Sequence, residues 1–194
     1  MKKQAFTFKK TFLIAMIISL SVSAMIGIGI FLFGNFGDME AKLLITTLAI
    51  GGYSLSGLCC SLLYEKKIFT PFALSGMVIS IIGFLYTLLV IWKAIDLSNQ
   101  LPWKVLVLFI IFATSIAHAC LLLHIKSKKV FVNSALSATI IFILIVAFML
   151  SALILNENKN MGEFYFRLLG VFAILDVLGT IVTPILNKVY SIEQ

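Results

Sequence analysis

The segment FAILDVLGTIVTPIL, residues 172–186, places one carboxylate, Asp176, in the middle of an otherwise apolar run. An acidic side chain at the centre of a membrane helix costs about 2.5–3.5 kcal/mol on insertion scales, and such residues are rare and commonly functional. Thr180 and Thr183 follow at i+4 and i+7 and extend a polar stripe on the same helix face. Arg167, nine positions earlier, points to the opposite face and cannot neutralise the acid. Asp176 is therefore the first candidate for a binding site.

Polar side chains are predicted at the depth of Asp176 in two other segments. Asp176 precedes Lys188 by twelve residues, and Ser54 and Thr114 precede lysines by the same interval. His118 lies one helical turn beyond Thr114. We therefore expect a buried site for a proton, an ion or a small polar solute, drawn from Asp176, Thr180, His118, Thr114 and Ser54.

The same spacing leaves a structural interpretation open. Asp176 would then be a neutral acid that fixes helix register through a hydrogen bond across the bundle, and His118 a satisfied core histidine. Pro184 has no amide hydrogen for the carbonyl of Thr180, so a helix kink is expected around Gly179 and Pro184.

The composition identifies the environment in which these residues act. The chain has 194 residues, of which 61% are hydrophobic and 12% charged, and its mean hydropathy is +1.13. Soluble domains are roughly 45–50% apolar and about 25% charged. Apolar runs long enough to span a bilayer are predicted at residues 11–34, 43–63, 68–92, 101–124, 130–155 and 164–187. Because continuous runs exclude alternating barrel strands, we predict an all-α integral membrane protein, a bundle of six transmembrane helices in a single domain.

The first apolar run begins after a basic segment, as a signal peptide does. It continues to Gly34, well beyond the 7–15 residues of a signal-peptide core. We therefore expect it to be retained as a membrane span.

The basic residues alternate between the two sides of this predicted bundle. Ten lie at the N-terminus, in the second and fourth loops and after span six, and five lie at the other loops with most of the acids. By the positive-inside rule, both termini are expected in the cytoplasm of a multi-pass protein of the cell membrane. The lysines of the cytoplasmic side are Lys2, Lys3, Lys9, Lys10, Lys66, Lys67, Lys126, Lys128, Lys129 and Lys188. Charges spread over alternate loops do not form the basic surface that nucleic acid requires, so the expected partners are lipid and a membrane protein or a second copy.

A short motif opens spans one, three and five. KKTF at 9–12, KKIF at 66–69 and KKVF at 128–131 precede the three spans, and KKIFTPFALS matches KKVFVNSALS over a longer stretch. Three tandem helical hairpins at 9–65, 66–127 and 128–190 are therefore predicted. The alternative is that the positive-inside rule alone produces lysines at these places.

The remaining motifs favour packing over chemistry. Small residues recur every three or four positions in span three, which is typical of a helix-packing seam; they are Ala73, Gly76, Ser80, Gly83 and Thr87. Cys59, Cys60 and Cys120 are expected to pack, and no metal site or cofactor is predicted, because His118 points away from both Cys120 and His124 on its helix.

Two classes of function remain. None of the common catalytic motifs occurs, so no enzymatic activity is predicted. The first class is a small transporter or channel-like protein with its site at Asp176. The alternative is a non-catalytic accessory or assembly protein in which Asp176 is a structural hydrogen-bonding group.

The lysine asymmetry predicts the result of a topology experiment. A reporter fused after Gln194 should be active only in the cytoplasm, and one inserted at Asn158 only outside. A C-terminus on the outer side would contradict both the number of spans and every depth inferred from the lysines.

Overall fold

The computed structural model describes residues 2–33, 37–67, 69–93, 100–125, 130–156 and 161–192. These residues form six α-helices and no strand. The helices are α1 (Lys2–Phe33), α2 (Asp38–Glu65), α3 (Thr70–Ile91), α4 (Gln100–Leu123), α5 (Val130–Leu155) and α6 (Glu163–Ile192). All six are long and apolar enough to cross a membrane, which confirms the predicted number of apolar helices. Several charged residues used to predict topology lie outside the described residues, namely Asp96, Lys126, Lys128, Lys129, Glu157 and Lys159, and nothing is described of the side chains of Lys2, Lys3 and Lys9.

Local sequence explains where α2 and α3 begin. Gly37 caps α2, and the Glu40 carboxylate accepts a hydrogen bond of 3.1 Å from the Gly37 amide, close to the positive end of the helix dipole. Phe69, with φ of 47°, adopts a left-handed conformation immediately before α3, and Pro71 follows in the first turn. This tight turn separates α2 from α3 by only four residues.

Each helix packs against helices that are one or two positions away from it in chain order. The even-numbered helices contact one another in series, α2 with α4 and α4 with α6. Helix α3 packs against both α2 and α4, α5 packs against both α4 and α6, and α1 packs against α2. Within the described residues, the backbones of α1, α3 and α5 do not approach one another closely, and neither do those of α2 and α6. The molecule is therefore an open row of helices in which α1 and α6 stand at the two ends.

This arrangement repeats from one hairpin to the next, as tandem hairpins would require. The repeat itself remains a prediction, and one local difference is visible at its motif. Phe69 precedes α3 in a left-handed conformation, whereas Phe131, its counterpart, lies inside α5. Both side chains are exposed.

Small residues hold α2, α3 and α4 together at the centre of the row. The five seam residues predicted in span three are all buried in α3. At Gly76, a methyl group would lie 2.5 Å from Sγ of Cys60 on α2 and 2.7 Å from Cγ2 of Ile116 on α4. At Gly83 it would lie 2.8 Å from the Tyr53 ring. Because α3 presents almost no side chain here, three backbones approach closely, as helices do in lipid.

The buried core lies beside Gly76. Cys60, Leu63, Ala73, Met77 and Cys120 form one cluster, and both cysteines are fully buried. Cys60 and Cys120 are in mutual contact, and the Lys66 ammonium group donates to the His124 carbonyl at 3.0 Å. Because both contacts join positions about 60 apart, α2 and α4 run parallel. Buried hydroxyls add polar contacts between the helices, including Tyr53 with Thr87 at 3.1 Å and a hydrogen bond between Ser23 and Thr47.

Two apolar grooves follow from the gaps between the odd-numbered helices. One of about 370 Å³ lies between α1 and α3 on a floor of α2, and one of about 480 Å³ lies between α3 and α5 on a floor of α4. Both are walled almost entirely by apolar side chains, which suits contact with lipid chains.

The close approach at Gly76 predicts a position-specific loss of stability. Gly76→Ala should lower the free energy of unfolding by about 1–3 kcal/mol, because the added methyl overpacks a site that is confined on two sides. The matched control is Gly52→Ala on α2, where a methyl group meets nothing within 4 Å. Thermal denaturation in detergent, followed by circular dichroism, should show a lower midpoint for Gly76→Ala and an unchanged or higher one for Gly52→Ala. Equal midpoints for the two variants would contradict this account of the core.

Candidate functional site around Asp176

Helix α5 packs against α6, the helix that carries Asp176. Thr139 of α5 packs directly on Gly179, where an added methyl would come within 2.9 Å of Thr139 Cγ2 and closer still to its hydroxyl. Thr183 is fully buried, and its hydroxyl lies 3.4 Å from that of Thr139. At the other end of the helix pair, the Tyr165 hydroxyl donates to the carbonyl of Met149 at 2.5 Å. These contacts fix both the rotation and the register of α6 against α5.

Helix α6 meets α4 over a short stretch, and that stretch contains a polar contact. Nε2 of His118 lies 2.9 Å from the hydroxyl oxygen of Thr180. The Thr180 hydroxyl in turn donates to the backbone carbonyl of Asp176 at 2.8 Å. The offset of 62 positions between His118 and Thr180 is close to that between Cys60 and Cys120, so the even-numbered helices stay nearly level.

The carboxyl group of Asp176 lies beside this contact. It faces the imidazole of His118 and the hydroxyl of Thr180. Its Oδ1 atom is shielded from solvent and has no hydrogen-bond partner among the described residues. A buried carboxylate oxygen without a partner is costly. This atom is therefore the feature of the site that calls for a ligand or a proton.

The structure brings together only some of the predicted site residues. Asp176, Thr180 and His118 meet, whereas Thr114 is exposed and its hydroxyl donates to carbonyls of its own helix, at 2.7 Å to Ile110 and 3.0 Å to Ile111. Threonine hydroxyls in apolar surroundings commonly bond back one turn in this way. The place of Thr114 in the site therefore stays a prediction.

Ser54 is also remote from Asp176, and its depth in a membrane stays a prediction. It is buried on α2 beside the groove between α1 and α3. Within the described residues, the backbone of α2 does not approach that of α6 closely. With offsets of 60 and 62 positions between the even-numbered helices, Ser54, Thr114 and Asp176 lie at nearly one level. Thr114 lies one turn from His118 on the same face of α4, and Ser54, on α2, is no part of the contact between His118 and Thr180.

Gly179 and Pro184, the two residues of the predicted kink, have different surroundings in α6. Helix α6 continues without interruption from Glu163 to Ile192 and passes through Pro184. The kink remains a prediction. Gly179 has another use, since it admits Thr139 against the backbone of α6.

Sequence reasoning missed Thr139, which supports the site from α5. Its hydroxyl donates to the Ala135 carbonyl at 2.9 Å, and its side chain is buried. A polar residue flanked by apolar ones in a predicted span was the available signal. Spacing alone could not show that it faces α6.

No metal site accompanies these residues in the described part of the chain. No group of three or more histidine, cysteine, aspartate or glutamate side chains lies close enough there to hold a metal ion. The chemistry open to the site is therefore that of a carboxyl, an imidazole and a hydroxyl.

Comparison of the chain with protein-family models, with curated proteins and with solved structures gives no match. The function must therefore be argued from the site itself.

The Gly179 contact predicts that α6 is sensitive to one added methyl. Gly179→Ala should reduce stability by about 1–3 kcal/mol through overpacking against Thr139. Gly170→Ala, on the same helix with nothing within 4 Å of the added methyl, is the matched control and should be neutral or stabilising. Thermal midpoints in detergent give the comparison, and a Gly179→Ala protein as stable as the control would contradict the described α5–α6 interface.

Proposed function

We propose that this protein is a small transporter or channel-like membrane protein that binds a proton, an ion or a small polar solute at Asp176. The single observation that carries the proposal is the buried Oδ1 atom of Asp176, which has no partner in the described structure and lies beside His118 and Thr180. An ionisable group within a membrane helix marks a functional site by default. The contact of α6 with α4 supports the proposal further, because it places the His118 imidazole beside this carboxyl group.

The proposed location is the cell membrane, with both termini in the cytoplasm. The lysine asymmetry supports this orientation. So does the direction of successive helices: Phe12 contacts Gly57 while Ser23 contacts Thr47, and Phe142 contacts Phe172 while Met149 contacts Tyr165. These pairs are antiparallel, and an even number of antiparallel spans returns the chain to its starting side.

The exposure of the two end helices, α1 and α6, favours a second function. Only 6% of the residues in the α1 and α6 spans are buried, against 28–33% in the other four. These end helices expose long apolar faces to lipid or to another membrane protein. An accessory or assembly protein would use such faces, and Asp176 would then be a structural group at a contact with a partner or a second copy.

Exchange of Asp176 for its uncharged isostere tests the first function. Purified protein is reconstituted into liposomes, and fluxes of protons, Na⁺ and K⁺ are measured under an imposed gradient. Asp176→Asn keeps the shape and one carbonyl oxygen but cannot titrate, so flux should fall to that of protein-free vesicles. Asp38→Asn, an exposed acid in the first turn of α2, is the matched control and should retain full flux.

The flux and the thermal stability of two Asp176 variants, measured together, separate the two functions. Asp176→Leu removes polarity as well as charge, and Asp176→Asn removes charge alone. Under the transport proposal, both variants lose flux while Asp176→Asn remains folded and inserted. Full flux with Asp176→Asn would overturn the transport role and leave Asp176 as a structural group.

A further inference from the structure

The hydrogen positions around Thr180 follow from its two contacts. A threonine hydroxyl has one hydrogen and two lone pairs. The hydrogen is donated to the Asp176 backbone carbonyl, 2.8 Å away. The Thr180 oxygen must therefore accept at its 2.9 Å contact with His118 Nε2. His118 consequently carries a hydrogen on Nε2 and donates it to Thr180.

Among the residues that the structure describes, no fixed positive charge faces the carboxyl group of Asp176. Helix α5 contains no acidic or basic residue between Val130 and Leu155, and α4 presents His118. On α6 itself, Arg167 is paired with Glu163 at 2.7 Å near the start of the helix. Lys188 lies twelve residues further along the chain, about 18 Å at 1.5 Å per residue. In the described part of the chain, the His118 imidazole is the one group placed to compensate the charge of an ionised Asp176.

The available ligands are too few for a hard metal cation. Calcium takes six to eight oxygen ligands, and magnesium demands a complete octahedron. The described side chains around Asp176 offer its own two oxygens and the Thr180 hydroxyl, whose hydrogen and one lone pair are already engaged. A proton needs one oxygen lone pair, and Oδ1 has one free.

We propose that the ligand of this site is a proton, which passes between the His118 imidazole and the Asp176 carboxyl group through the hydroxyl of Thr180. This inference rests on the proposed function at Asp176 and names its substrate. Thr180 is a positioning residue that relays the proton.

The transfer consists of a protonation of His118 followed by one concerted step through Thr180. A proton first binds Nδ1 of His118 and gives the imidazolium. The Nε2–H bond then breaks as a new Oγ1–H bond forms on Thr180. Rotation about the Cβ–Oγ1 bond turns the original hydroxyl hydrogen from the Asp176 backbone carbonyl towards the carboxylate. Its bond to Oγ1 then breaks as it forms a new O–H bond with a carboxylate oxygen of Asp176.

The products are a neutral carboxylic acid and a neutral imidazole that keeps its hydrogen on Nδ1. Thr180 again has one hydrogen, which it now donates to Nε2. The His118–Thr180 hydrogen bond therefore reverses direction when the site is loaded. Both products are uncharged, which is the state that apolar surroundings favour.

Infrared spectroscopy of the purified protein tests the identity of the ligand. Difference spectra are recorded during a pH titration in nanodiscs, once without Na⁺ and once at high Na⁺. A carboxylic acid band should rise as pH falls, should be indifferent to Na⁺, and should be lost in Asp176→Asn but retained in Asp38→Asn. A band at Asp176 that Na⁺ removes at constant pH would overturn the proton as ligand, even if Asp176 remained necessary for flux.

Two substitutions of Thr180 test the relay. Thr180→Val keeps the shape but removes the hydroxyl, so proton flux into liposomes should be lost, and Thr180→Ser should restore it. The Asp176 band should persist in Thr180→Val, because the carboxyl group is intact. Wild-type flux in Thr180→Val would overturn the relay, whereas wild-type flux in Asp176→Asn would overturn the proposed function itself.

Discussion

The arrangement of this protein depends on close approach of helix backbones at residues that have little or no side chain. Gly76 is the central case, because α2 and α4 both press on it with Cys60 and Ile116. In lipid there is no solvent-driven gain from bringing two apolar helices together, so contact of this kind supplies the attraction. Gly83 allows the same close approach of Tyr53, and Gly179 that of Thr139. Each contact sets the rotation of the two helices that meet there.

The candidate site inherits its geometry from these contacts. Thr139 seated on Gly179 turns α6 so that Thr180 reaches His118. The carboxyl group of Asp176, one turn away on the same face, then comes to lie beside the imidazole. A polar group is placed at the edge of an apolar row by packing among glycines and threonines, with no ion pair in its immediate surroundings within the described residues. Such a placement leaves one oxygen unsatisfied, which is the physical reason to assign the site a function.

The level of a residue along its helix could be predicted from the sequence, whereas the direction of its side chain could not. Twelve residues to a lysine define a level because the rise per residue is constant, and similar offsets between α2, α4 and α6 keep Ser54 and Asp176 at similar levels, while their depth in a membrane stays a prediction. Which way a side chain points depends on which helix lies next to it. The side chain of Thr114, for example, is exposed and its hydroxyl donates within its own helix, which spacing along the chain does not reveal. The seam of α3 was predictable, since small residues at helical spacing have one common use.

The order of contacts has a consequence for biosynthesis. Within the described residues, every helix finds all its later partners among the next two helices to be made: α1 needs α2, α2 needs α3 and α4, and α4 needs α5 and α6. No early helix has to wait for the end of the chain, and no late helix must insert between two earlier ones. Short separations between contacting segments favour rapid folding, and N-terminal parts of a chain generally fold first during translation. The chain can therefore assemble progressively as it leaves the ribosome, and the contact between Thr180 and His118 is among the last to form.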